Sequence, residues 1–224
     1  MTVTSRPQLV VLISGSGSNL QAFIDAIAAG QLGAEIALVI SNRDGAFGLQ
    51  RAHRAGIKTA TILHTDYASR EQFDHALAAA IDAHQPAAVI LAGFMRILTP
   101  GFVDRYSGRL LNIHPSLLPL YPGLHTHQRA IDNGDSEAGS TVHFVTAQLD
   151  GGPAIIQARV AIASADDADS LAARVLTEEH RIYPHATGWL LQGRLTMEGG
   201  RAHLDGKLIT SGGVAVAANQ PLPQ

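Results

Sequence analysis

The 224-residue chain has no cysteine. Disulfides, thiolate nucleophiles and cysteine-held zinc or iron–sulfur centres are therefore excluded. Charge of one sign is also scarce. The formal balance is −3 and no basic block occurs, which argues against a dedicated nucleic-acid surface. No apolar run approaches membrane-spanning length. Met1–Gln8 lacks the apolar core of a signal peptide. Internal repeats and long linkers are absent. The expectation is a cytoplasmic globular domain over residues 1–224, with no nucleic-acid or membrane partner. With 46% apolar residues, it can build a core without staples.

What is present alternates. Val10-Val11-Leu12-Ile13 reads as a buried strand entering a glycine turn, and Leu20, Phe23, Ile24 and Ile27 then recur at helical spacing. A strand at 36–40, a helix at 46–55 and a strand at 59–63 follow. Ser69 opens a helix, with Gln72 as capping-box partner and Phe73, Leu77 and Ile81 as the buried stripe. Residues 88–92 are apolar throughout. A fifth strand ends in Asn112-Ile113-His114, and a short helix holds Ala130-Ile131. Strands are expected at 141–145 and 154–162, a helix at 169–183, and a second helix after Pro184. The tail 196–224 is weakly patterned, with room for a hairpin and disorder expected beyond Gly212. Strands that are apolar on both faces and alternate with helices predict an α/β, Rossmann-like, open and mostly parallel sheet, covered by helices on both faces. The domain has two functional halves, 8–105 and 106–195.

Several polar groups stand where ligands bind in such folds. Asn112 and His114, two apart on a strand, project to one side, and Pro115 stops the strand beside them. A neutral donor beside an imidazole is the minimum equipment for acyl or formyl transfer. The same pair also serves as hydrogen-bonded packing. Asp150-Gly151-Gly152-Pro153 has the composition of a turn, yet an Asp there can stabilise a protonated imidazole. Gly15-Ser16-Gly17-Ser18-Asn19 either brings backbone to an anion at a helix N-terminus or is a turn with a Ser18 cap and Gln21. Leu20 replaces the third glycine of a dinucleotide fingerprint, and Ser41-Asn42-Arg43 offers no ribose carboxylate. A mononucleotide phosphate therefore suits the loop better than NAD. His125-Thr126-His127 has no third ligand at suitable spacing, so no metal is expected. Glu179 continues the Leu171–Val175 stripe, so it either finds donors or ligand hydroxyls or snorkels at the helix end. Arg96 follows the fourth strand at the expected crevice. Arg70 reads as a solvated charge after Ser69.

Five ordered segments resemble the phosphoribosylglycinamide formyltransferase family: 13–20, 91–98, 111–119, 121–126 and 149–153. The similarity runs from Val10 to about Trp189, and the tail adds nothing to it. The resemblance implies transfer of formyl from 10-formyltetrahydrofolate to the amine of glycinamide ribonucleotide, in purine synthesis. It implies Asn112, His114 and Asp150 as the catalytic trio. Gly17, Ser18 and Asn19 are implied at the phosphate, and Leu176, Thr177, Glu178 and Glu179 at the rest of the ribonucleotide. Arg70, Met95, Arg96, Ile97, Leu98, Asn112, Thr146, Ala147, Gln148, Leu149 and Asp150 are implied around the folate. Formyltetrahydrofolate deformylase, a hydrolase of the same donor, is the alternative. It usually carries an N-terminal regulatory domain, for which the first strand at Leu9 leaves no room. The implied partners are these small molecules, with the chain a monomer or homodimer.

Overall fold

The computed structural model describes residues 6–223. Residues 1–5, part of the stretch expected to lack a targeting signal, and residue 224 of the tail lie outside the described residues. The chain falls into two compact units divided after Leu110, close to the expected boundary between halves. Among the described residues no helix is long and apolar enough to cross a membrane.

The first unit runs β1 (Gln8–Ile13), α1 (Ser18–Ala28), β2 (Glu35–Ser41), α2 (Phe47–Arg54), β3 (Thr59–Thr61), α3 (Arg70–Asp82), β4 (Ala88–Leu91) and α4 (Pro100–Arg105). β1 pairs in parallel with both β4 and β2, and β3 pairs in parallel with β2. Leu9 to Ile13 and Ala88 to Leu91 are all buried, as strands covered on both faces require. Phe73, Leu77 and Ile81 form the buried stripe of α3. Its N-cap holds in part. Ser69 accepts from the Gln72 amide at 3.3 Å, but the Gln72 side chain accepts from Ala68, not from Ser69. Sequence periodicity missed α4, which at six residues is too short to show a stripe. It is set by local chemistry. The Thr99 side chain caps it, and Pro100 stands at its first turn.

The second unit runs β5 (Leu110–His114), α5 (Thr126–Asp132), β6 (Glu137–Phe144), β7 (Ala154–Ala161), α6 (Ala168–Leu191), β8 (Leu195–Glu198), β9 (Arg201–Leu204), β10 (Lys207–Leu208) and β11 (Val214–Ala217). β6 pairs antiparallel with β5 and β7, while β11 joins β7 in parallel. The strands named so far are thus mostly parallel. β8, β9 and β10 make a separate antiparallel sheet.

Three expectations fail here. β6 starts four residues before the expected strand at 141. The helix does not stop at Pro184 but continues as one 24-residue element. An interior proline costs a helix about 3 kcal/mol. Here Ile182, Tyr183, Ala186 and Trp189 around it are buried, and the Tyr183 hydroxyl donates to the Leu111 carbonyl at 2.9 Å. Packing outweighs the local penalty. The tail beyond Gly212 is ordered: it forms β11, whose Val214–Ala217 register with Ile156–Arg159.

A buried network shapes the turn after β5. The Thr141 hydroxyl donates to the Ser116 carbonyl at 2.6 Å and accepts from the Leu118 amide and Gln157 Nε2, each at 3.0 Å. Gln157 Nε2 also donates to the Leu118 carbonyl at 2.7 Å. One hydroxyl thereby uses its donor and both lone pairs. Thr141→Val keeps the shape and removes all three bonds. It should destabilise the fold by about 2–4 kcal/mol, since buried groups are left unpaired. A urea midpoint within experimental error of the parent would refute this account of the turn.

Candidate active site

The antiparallel register of β5 and β6 sets Asn112 opposite His143 and His114 opposite Thr141. Alternation along β5 then puts Asn112 and His114 on one face. The Asn112 amide lies 3.1 Å from His143 Nε2. His143 Nδ1 lies 2.9 Å from the Phe144 carbonyl, which can only accept. Nδ1 therefore carries the proton, Nε2 accepts, and the group Asn112 presents to it is its NH2. Burial lowers the pKa of His143 and keeps it neutral, ahead of the opposing effects of the Phe144 carbonyl and Asp150. One N–H of Asn112 is thus taken by His143, and the second is left to donate to a ligand.

His114 is buried between two acceptors. Its Nε2 lies 2.9 Å from the Tyr121 carbonyl, and its Nδ1 lies 3.5 Å from Asp150 Oδ2. Only the charged imidazolium has an N–H for both. Asp150 is itself held, since Oδ2 accepts from the Gly123 amide at 2.9 Å. The structure therefore brings the three expected catalytic side chains into one unit. Tyr121, His125 and Asp150 all have left-handed backbone, with φ of 53°, 58° and 49°. Non-glycine residues in this region are uncommon, and Asp and His are among those that tolerate it best. Gly152 permits the return of the Asp150 loop, because a Cβ there would lie 1.8 Å from the Phe144 carbonyl oxygen. His127, from the two-histidine pattern, has its pKa lowered by burial and then by the charge of nearby His114.

The glycine loop departs from one sequence reading. Ser18 is not the cap of α1 but its first residue; Gly17 is the N-cap, at φ 69°, and no side chain caps the helix. Gln21 bonds instead to Asp25 and Arg51. The loop packs on α2. A Cβ on Gly17 would lie 2.5 Å from Gly48 Cα, the Gly48 amide donates to the Gly15 carbonyl at 3.0 Å, and Arg51 Nε donates to the Ser16 carbonyl at 2.9 Å. Sequence reasoning missed Gly48 and Arg51, although their i, i+3 spacing on a helix places them on one face.

In the same unit the Ser14 hydroxyl donates to Asn42 at 2.6 Å and accepts from the Met95 amide at 2.7 Å. This fixes the start of the 95–98 loop. Met95 and Ile97 are exposed, Leu98 is buried, and the Nε of Arg96 is buried without a hydrogen-bond partner. Arg70 is exposed at the first position of α3. In the second unit, Thr146 is half-buried while Ala147, Gln148 and Leu149 are exposed on the Asp150 loop. On α6, Leu176 is half-buried, Thr177 is exposed and donates to the Ala173 carbonyl, and Glu178 and Glu179 are both buried. The Glu178 carboxylate is committed within the protein, to Arg181 and the Asn219 amide.

His127, His143 and His185 all have pKa values lowered chiefly by burial. Below the ordinary value of 6.5 the unfolded chain binds protons that these native histidines refuse. Their contribution to stability is full above that pH and is lost as pH falls through it. His143→Gln should therefore lessen the drop in unfolding free energy between about pH 7 and pH 5, measured by urea titration. An unchanged drop would mean that His143 is not held neutral.

A family model described as formyl transferase matches residues 7–187. The chain is 54% identical over 207 residues to phosphoribosylglycinamide formyltransferase of Escherichia coli (strain K12), covering 92% of this chain and 98% of that protein. The solved phosphoribosylglycinamide formyltransferase from Coxiella burnetii superposes with a TM-score of 0.91 at 49% identity, covering 94% of this chain and 99% of that one. A formyltetrahydrofolate deformylase from Pseudomonas putida KT2440 gives a TM-score of 0.82 at 25% identity, covering 91% of this chain and 72% of that one. A Rossmann-like α/β fold matched along nearly its whole length, with Asn112, His114 and Asp150 gathered in one unit, places the chain in the formyl transferase family.

Proposed function

We propose that this protein transfers the formyl group of 10-formyltetrahydrofolate to the amine of glycinamide ribonucleotide, a step of purine synthesis. The observation that carries the reading is His114, held between the Tyr121 carbonyl and Asp150 and sharing a strand face with Asn112. The amine nitrogen attacks the formyl carbon, and the carbonyl oxygen becomes an oxyanion. The bond from carbon to N10 then breaks. One proton leaves the amine nitrogen and one arrives on N10, so the exchange balances without a further reactant. The free N–H of Asn112 and the charge of His114 stabilise the oxyanion. A well-placed donor of this kind is worth about 3–4 kcal/mol in the transition state. Asp150 keeps His114 charged and shares in moving the proton.

We assign the ribonucleotide phosphate to Gly17, Ser18 and Asn19, where an uncapped helix start offers backbone N–H groups. Leu176 and Thr177 meet the ribonucleotide through backbone, and Glu179 through its carboxylate at the ribose hydroxyls. The folate is assigned to Arg70, Met95, Arg96, Ile97, Leu98, Asn112 and the loop Thr146, Ala147, Gln148, Leu149 and Asp150. Exposed Met95 and Ile97 supply apolar surface, and Arg70 supplies a guanidinium for a glutamate carboxylate.

The direct test measures tetrahydrofolate release from 10-formyltetrahydrofolate with and without glycinamide ribonucleotide. Release that depends on the amine is expected, and equal release without it would identify a deformylase. Asp150→Asn keeps an oxygen for the Gly123 amide and loses the charge. It should lower kcat by about a hundredfold or more with little change in melting temperature, and near-normal turnover would refute the role of Asp150. Glu179→Ala should raise KM for the ribonucleotide far more than KM for the folate. An equal effect on both would remove Glu179 from the ribose.

A further inference from the structure

We propose that residues 218–223 form a positioning strap that splints α6 across Pro184 and so fixes the turn carrying Glu179. The inference rests on the assignment of Glu179 to the ribonucleotide. Pro184 has no N–H to give to the preceding turn of α6, so the helix lacks one of its own bonds near the middle of its length. Side chains on both sides of that position are tied to the tail. Arg181 donates to the Gln220 carbonyl. His185 Nε2 lies 2.7 Å from the Pro223 carbonyl.

A third tie is adjacent to Glu179. The Glu178 side chain is only 2% exposed. One carboxylate oxygen pairs with Arg181, and the other accepts from the Asn219 amide at 3.1 Å. A buried carboxylate needs such partners, and here half of them come from the tail. The tail is itself anchored. β11 pairs with β7, the Ala218 amide extends the ladder to the Arg159 carbonyl at 2.9 Å, and Ala218 packs on the cluster holding Leu171 and Val175 of α6. Asn219 then adopts a left-handed φ of 61°, turning its amide to Glu178.

Two variants test the strap. One ends the chain after Ala217. The other keeps full length and carries Glu178→Gln with Arg181→Met, which leaves no unpaired buried charge. In each, KM for glycinamide ribonucleotide should rise about five- to tenfold, while kcat and KM for the folate stay within twofold. Hydrogen exchange of the amides at 179–183 and 185–186 should quicken. If the truncated chain does not fold, the full-length variant decides. Unchanged ribonucleotide KM and unchanged exchange would overturn the strap, as would a uniform loss in kcat and both KM values. Glu179→Ala is measured alongside. If it alone leaves the ribonucleotide KM unmoved, the site assignment fails, and the exchange data still decide whether the tail splints the helix.

Discussion

The antiparallel pairing of β5 with β6 is the constraint from which the reactive centre follows. One register fixes two pairs at once, Asn112 with His143 and His114 with Thr141. A slip of one residue would turn both site side chains to the opposite face. Thr141 then holds the turn after β5 through Ser116 and Leu118. That turn leads to Tyr121, whose carbonyl meets His114. The backbone continues to Gly123, whose amide orients Asp150. His114 and Asp150 are thus steadied by main chain that the same pairing organises, and Asn112 by the His143 ring.

Two histidines of one small region have different surroundings. His143 is enclosed and has a single backbone carbonyl to satisfy, so it is neutral and its second nitrogen accepts. His114 faces a carboxylate and a carbonyl, which together suit only its charged form. The neutral ring of His143 orients the Asn112 amide, and the His114 ring lies between the Tyr121 carbonyl and Asp150. Environment, not residue type, divides the labour.

The sequence was readable where a rule is local. The two-residue period put Asn112 and His114 together before any fold was known, and apolar runs located β1 and β4. The glycine loop was visible as a loop, but the one of its two readings that gave it a Ser18 cap was a residue late, because Gly48 fixes Gly17 from a different helix. Asp150 stood out as a carboxylate in a strand-end turn, but its partnership with His114 came from family resemblance, since nothing in spacing says that a turn 36 residues on returns to His114. Pro184 read as a stop because its local penalty is real and the burial of Tyr183 and Trp189 is not local. Glu178 pairs with Arg181 at i,i+3, a spacing visible in the sequence, but its second partner is a backbone amide at Asn219, which no side-chain pattern reveals. β11 escaped because alternating Val and Ala after two glycines carries little hydrophobic signal.

The place of β11 has a consequence for how copies of this chain can meet. Without it, β7 would present a row of unpaired N–H and C=O groups along its outer side, an invitation to a strand from another molecule. The chain covers that side itself with four residues. It then follows them with Pro221 and Pro223, which cannot extend a ladder. Pairing of a strand from another molecule directly onto β7 is thereby blocked.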